Sequence, residues 1–288
     1  MTNLNTKILD HIVHLTPPGS VEETSKQFRE LGFTVIPGGT HTDGLTANAL
    51  VVLADGVYLE LISFTHPVSY YPPGSSGRQA RESHAWASKS PGWIDFAFLG
   101  NGLLTGPNRV SDIINDRAKK EGSGVEYNSE IPGGRERPDG KVLKWVITSP
   151  GSGVRETLPF FCGDVTPREW RASTSCNPTS NIEHPSTAQG ISYLLVLTSP
   201  GTFSSLTRQL TTVIGTPALS SRNTEAIWQL EAVHKTKGPK FILRISETER
   251  EVNFVQEVGT GIFEVAFSTE GKEGNVTTPY GRIAWIPA

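Results

Sequence analysis

The chain has 288 residues, with 26 Lys and Arg against 29 Asp and Glu, a net charge of −3, and 36% hydrophobic and 19% charged residues. At roughly 150 residues per domain this length means about two domains or one large pseudo-symmetric one, and the near-neutral charge gives no electrostatic footprint for nucleic acid or an anionic membrane surface. No apolar run approaches the roughly 18 residues of a membrane span, and the apolar run from Ile8 to Leu15 is broken by Asp10, His11 and His14, unlike a secretory leader.

Those features predict a cytoplasmic protein, with Cys162 and Cys176 as free thiols of a reducing compartment. Along the chain, Ile8 to Leu15 reads as a strand stopped by Pro17-Pro18-Gly19. Ser20 with Glu23 forms a capping-box pattern ahead of a helix whose inward positions are Val21, Phe28 and Leu31, with Gly32 at its end. Strands follow over Phe33 to Ile36, Ala49 to Leu53 and Val57 to Ser63, the last two joined by Asp55-Gly56. The order is βαβββ.

The Pro-, Gly- and Ser-rich stretch 67–92 is predicted to be a connecting loop. After it the order returns: a strand at Trp93 to Leu99, a helix at Arg109 to Lys120 ending near Gly122, and strands at Val142 to Thr148 and Leu158 to Cys162, with a turn at Pro138-Asp139-Gly140. A polar linker, 171–190, leads to a third copy with a strand at Ile191 to Thr198 and a helix at Thr202 to Ile214. Strands at Ala226 to Val233, Phe241 to Ile245, Ile262 to Ser268 and Arg282 to Ile286 follow. A βαβββ unit exposes one apolar sheet face and needs a second unit to cover it, so repetition is the dominant signal. The expected fold is α+β, with modules over 1–66 and 93–170 paired around a cavity and a third module plus remnant strands over 191–288.

Several short strings then acquire a common meaning. Leu9-Asp10-His11-Ile12-Val13, Gly38-Gly39-Thr40-His41 leading to Asn48-Ala49-Leu50, Tyr58-Leu59-Glu60-Leu61-Ile62, the segment Gly134 to Gly140, Leu143, Trp145, Leu158-Pro159-Phe160-Phe161 and His184-Pro185 together resemble the glyoxalase-like domain of the vicinal oxygen chelate superfamily. The resemblance implies curled sheets around a cavity, a small organic substrate with adjacent oxygens, and a divalent metal (zinc, iron, manganese or nickel), in a monomer or homodimer that binds neither nucleic acid nor membrane. It implies lyase, isomerase or dioxygenase chemistry, with His11 and Glu60 as metal ligands and as the groups that move protons.

The residues themselves bear on that expectation. Strand alternation puts His11 on one face with Leu9 and Val13, and Glu60 on one face with Tyr58 and Ile62, while His14 falls on the opposite face. An imidazole is chemically available near neutral pH as base or ligand, and a carboxylate in so apolar a strand as that of Glu60 needs compensation by a metal or a neighbouring imidazole unless it faces water at an edge.

The second module departs from the metal pattern, because Cys162-Gly163-Asp164 follows its last strand where a Glu is expected. Asp95, His41 or Cys162 would have to complete the ligand set, and the third module offers only Ser192 at the matching first-strand place. That gap favours a second reading, a metal-free protein that sequesters a small ligand; a catalytically silent dimerisation module is a third. His41, Tyr58, Asp95, Arg137 and His184 are the candidate substrate contacts, with Arg135 and Arg137 placed either to clamp a carboxylate or to be solvated at the surface. No Rossmann, phosphate-loop or serine-elbow motif is present, so no nucleotide cofactor is expected.

Overall fold

The structure is a computed structural model that describes residues 4–137, 139–151, 157–173 and 180–288. Cys176 and Pro138, both used in the sequence reading, lie outside the described residues. In chain order the first half contains β1 (Ile8–Thr16), α1 (Val21–Glu30), β2 (Ile36–Thr40), β3 (Thr46–Val52), β4 (Tyr58–Phe64), α2 (Ser76–Ser83), β5 (Gly92–Leu99), α3 (Val110–Glu121), β6 (Ile131–Glu136), β7 (Val142–Thr148), β8 (Phe160–Asp164) and α4 (Arg168–Arg171). The second half contains β9 (Ala188–Thr198), α5 (Pro200–Ile214), β10 (Ser220–Ser221), β11 (Glu225–Gln229), β12 (Glu231–Ala232), β13 (Lys240–Ile245), α6 (Glu249–Val258), β14 (Gly261–Thr269), β15 (Gly274–Thr278) and β16 (Gly281–Pro287).

Two sheets result. The first runs β2-β3-β4-β1-β5-β8-β7-β6, two βαβββ units side by side with β1 and β5 antiparallel at the centre. The second runs β10-β11-β13-β9-β14-β16-β15, and the same order of places recurs, with β9 and β14 at the centre. The strands after β13 therefore stand where β5, β8 and β7 stand in the first sheet. The short β12 crosses to the first sheet and pairs with Ile8 and Leu9, at the end of β1 that β4, which begins its pairing at His11, leaves open.

The sheets pack back to back. Leu9, Ile12, Phe96 and Phe98 of the first meet Phe241, Leu194 and Phe267 of the second in one apolar core, with Phe96 and Phe241 rings 5.2 Å apart and Phe33 and Phe267 rings 4.9 Å apart. Phe33 was expected to open a strand, but it packs into this seam against Phe267 and Trp285, and the strand begins only at Ile36. Ser20 does precede α1, yet its hydroxyl donates to the Thr16 hydroxyl and the Pro17 carbonyl, so the expected capping box does not form. The capping box is found at α6 instead, where Thr248 and Glu251 bond reciprocally.

His14 faces the seam, as alternation predicts, with no exposed surface and with its ring against Phe28 and Trp93. His11, Val13 and Leu15 face the opposite, outer side of the first sheet. Leu9, expected to share their face, lies in the seam. The ladder to β5 shifts register between Leu9 and His11, and such a bulge breaks the alternation that places side chains on strand faces.

Candidate functional site

The register shift in β1 produces the site. Asp10 and His11 are consecutive, and in a regular strand their side chains would point apart. Here they reach each other: Asp10 Oδ2 lies 2.6 Å from His11 Nδ1, with both side chains buried. Burial alone would raise the Asp10 carboxyl, but Arg168 and Arg171 beside it, together with the His11 bond, hold it well below the usual carboxylate range. It is thus an anion at neutral pH, and the contact assigns the proton to Nδ1 and the lone pair to Nε2.

Nε2 of His11 faces Glu60 Oε2 at 3.8 Å, too far for a hydrogen bond. The other carboxylate oxygen, Oε1, accepts from Asn48 Nδ2 at 2.6 Å and lies 3.7 Å from His41 Nε2. His41 has its Nδ1 2.6 Å from the Thr46 hydroxyl, and burial, only partly offset by Glu60, holds its ring below the usual histidine range. Tyr58 stacks on His11 with ring centroids 4.7 Å apart, and Phe160 meets His11 edge-on at 5.3 Å. Burial pushes the Tyr58 phenol well above its ordinary value, so it stays protonated. These groups line a small cavity of about 70 Å³ whose remaining walls are Leu50, Trp86, Trp145, Ile147, Cys162, Arg135 and Arg171.

Four of the expected site residues, His11, His41, Tyr58 and Glu60, meet in this cavity. Three do not line it. Asp95 accepts from the Trp86 indole at 3.0 Å and the Phe96 amide, and so holds a wall residue in place. Arg137 donates to the Trp170 carbonyl oxygen and pairs with Asp139. His184 accepts from the Thr34 amide at Nδ1 and donates from Nε2 to the Val52 carbonyl oxygen, which fastens the linker to β3.

Other residues were missed or undervalued. Asp10 was overlooked because alternation sends it away from His11. Arg171, from the turn of helix expected to begin a linker, is buried beneath Tyr58 and Cys162 and pairs with Asp10 and Asp164. Burial pushes the Cys162 thiol up to about 12, which makes it an inert part of the wall. Trp86 comes from the stretch read as a loop.

The second sheet supplies a comparison within the chain. His11 lies opposite Tyr58 on β4 and Ala97 on β5, whereas Tyr193 lies opposite Lys240 on β13 and Ala266 on β14. Tyr193, and not Ser192 as expected, therefore holds the place of His11. By the same register Ile242 holds the place of Glu60. The Tyr193 hydroxyl donates to Glu264, which Arg282 also binds, so these polar groups satisfy one another.

The divalent metal implied by the resemblance is not matched by this donor set. Among the described residues no group of three or more His, Cys, Asp or Glu side chains is arranged to hold a metal ion. His11 and His41 each face a different oxygen of Glu60, and the Asn48 amide already occupies Oε1. The Arg135 guanidinium in the wall, which no described carboxylate pairs, adds charge of the sign that opposes a dication.

A family model described as a glyoxalase-like domain matches residues 9–213. No curated protein matches the chain. Among solved structures, a hypothetical protein from Staphylococcus aureus shares 11% identity, with 97% of this chain and 98% of that one covered and a TM-score of 0.65. A variant of 4-hydroxymandelate synthase from Streptomyces coelicolor shares 15% identity over 93% of this chain and 72% of that one, with a TM-score of 0.51. At these identities the likeness establishes the fold, two-sheeted and built of βαβββ units. No helix among the described residues is long and apolar enough to cross a membrane.

Proposed function

We propose, taking as premise that the chain belongs to the glyoxalase-like domain family, that it is a small-molecule enzyme that moves a proton on a carbon next to a carbonyl group, as isomerases and lyases do. The observation that carries this reading is the pairing of His11 Nε2 with Glu60 Oε2 at 3.8 Å, two basic atoms facing one cavity and not bonded to each other.

Each group has a distinct part. Asp10 fixes the His11 tautomer so that Nε2 receives the proton. As the carbon–hydrogen bond breaks, its electron pair passes to the carbonyl oxygen as an enolate, and the imidazolium formed lies between the carboxylates of Asp10 and Glu60, which stabilise it. Return of the proton to the same carbon from another direction, or to a neighbouring atom, completes an isomerisation; loss of a leaving group from the enolate completes an elimination. Asn48 holds Glu60 in register through Oε1, and the stacked Tyr58 keeps the imidazole from rotating.

The test is proton NMR of small 2-oxo and 2-hydroxy acids in deuterated buffer. The protein should introduce deuterium at the carbon next to the carbonyl, and His11→Ala and Glu60→Gln should each lower the rate by about 10²- to 10⁴-fold. No exchange above buffer from the unsubstituted protein would sink the reading. The largely apolar walls, with Trp86, Trp145 and Phe160, would in that case favour the second reading, sequestration of a ligand without turnover.

A further inference from the structure

Two guanidinium groups line the cavity, and they differ in one respect. Arg171 is neutralised: its Nε lies 2.8 Å from Asp164, its Nη1 3.3 Å from Asp10, and it also donates to Tyr58 and Cys162. Arg135 is equally buried, with 3% of its surface exposed, yet its acceptor among the described residues is the Gly38 carbonyl oxygen at 2.7 Å, and no described carboxylate lies within ion-pairing distance of it.

A guanidinium keeps its charge at any ordinary pH and offers five N–H donors, and enclosing it without a counter-charge is costly. Burial pulls Arg135 below the usual guanidinium range, the signature of that cost. What encloses it is glycine. A Cβ on Gly39 would lie 2.6 Å from the Glu136 carbonyl oxygen and 3.6 Å from Arg135 Nη1, and His41, just after β2, forms a bridge with Arg135 of β6. The bare backbones of β2 and β6 thus close on each other at the rim and fold Arg135 inward, where an ordinary edge strand would leave it in solvent.

We propose that Arg135 is the anion-binding residue of this cavity and that the ligand it receives is a small monocarboxylate. The proposal deepens the proton-transfer reading and rests on it for where the reacting carbon sits. A carboxylate presents two coplanar oxygens to the two-pronged guanidinium, the arrangement that gives the strongest charge-assisted bonds, and supplies the direct ion pair that Glu60, which shares the cavity and acts on Arg135 from beyond ion-pairing distance, does not. Size agrees with this class. A cavity of about 70 Å³ has under half the space of the roughly 150 Å³ cavities that admit benzene, so its enclosed end accepts a carboxylate and a few further atoms. Removal of a proton beside the carbonyl puts negative charge close to Arg135, so the same group that binds the substrate also stabilises the enolate.

The experiment is calorimetric titration of the full chain with pyruvate and with pyruvamide, which has nearly the same shape and no charge. The expected result is that pyruvate binds at least tenfold more tightly than pyruvamide. Arg135→Met should abolish this preference and Arg135→Lys restore part of it, because a point charge lacks the two-pronged geometry. Equal binding of the two probes, binding of neither, or a preference unchanged in Arg135→Met would overturn the proposal. The comparison between probes uses the unsubstituted protein and holds even if Arg135→Met fails to fold. Charge-selective binding that needs Arg135, without deuterium exchange, would overturn the proton-transfer reading and keep the anion site; exchange with no preference for pyruvate would do the reverse.

Discussion

Asp10 does not itself line the cavity, yet it decides what His11 can do. Its carboxylate holds Nδ1–H and is itself held by two guanidinium groups, those of half-buried Arg168 and buried Arg171. Asp10→Asn leaves the shape nearly intact and removes both the charge and the fixed tautomer. Exchange should fall about 10²-fold or more, measured in conditions where the variant is still folded, and urea denaturation should show a loss of about 3–5 kcal/mol because the guanidinium groups lose a buried partner. At this scale the sequence was informative about residue types and silent about company. His11 and Glu60 were paired by the family resemblance, and strand alternation added only which neighbours share the face of each. Arg135 could not be told from its neighbour Arg137, because what separates them is the approach of β2, nearly a hundred residues earlier in the chain.

At the scale of elements, the site depends on where strands depart from regularity. The bulge in β1 brings Asp10 to His11, and the absence of side chains at Gly38 and Gly39 lets β2 lie close to Asn48 and β6. A Cβ on Gly38 would fall 1.9 Å from Asn48 Oδ1, so Gly38→Ala must displace the amide that holds Glu60 Oε1. The expected outcome is a tenfold or greater drop in exchange, with a loss of stability of about 1–3 kcal/mol read by denaturant titration. The repeated βαβββ order was legible because each unit carries its own hydrophobic pattern and punctuation. The parts that were not legible, α2, β6, α6 and β15, are short, polar or glycine-rich, and in them period and propensity speak weakly. The Thr248 and Glu251 signature was available in the sequence for α6 and would have located its start.

For the whole molecule, the seam between the sheets sets how stability responds to pH. His14 is sealed there with no hydrogen-bond partner for either ring nitrogen among the described residues, and burial pulls its pKa down to about 3. The unfolded chain binds that proton more readily, so the stability His14 permits is complete above about pH 6.5 and is lost as pH falls towards 3, by about 1.4 kcal/mol per unit. Asp55 has the opposite sign. It accepts from the Val57 and Ile191 amides and so joins the halves, and burial pushes it up to about 6. Its contribution is complete below about pH 4 and is lost as pH rises through 6. Melting temperatures from about pH 4 to 7.5 should separate the two: His14→Phe should gain on the parent protein as pH falls, and Asp55→Asn should gain on it as pH rises. Curves that stay parallel for either variant would show that the group is not the one titrating.

The back-to-back packing has a consequence for how the protein can be watched. Of its six tryptophans, Trp93, Trp228 and Trp285 lie in the apolar seam, while Trp86 and Trp145 line the cavity on the far face of the first sheet. The chain therefore carries two optical reporters in separate compartments. Quenching of the cavity indoles follows ligand entry without any label, and a red shift of the seam indoles marks the moment the sheets part.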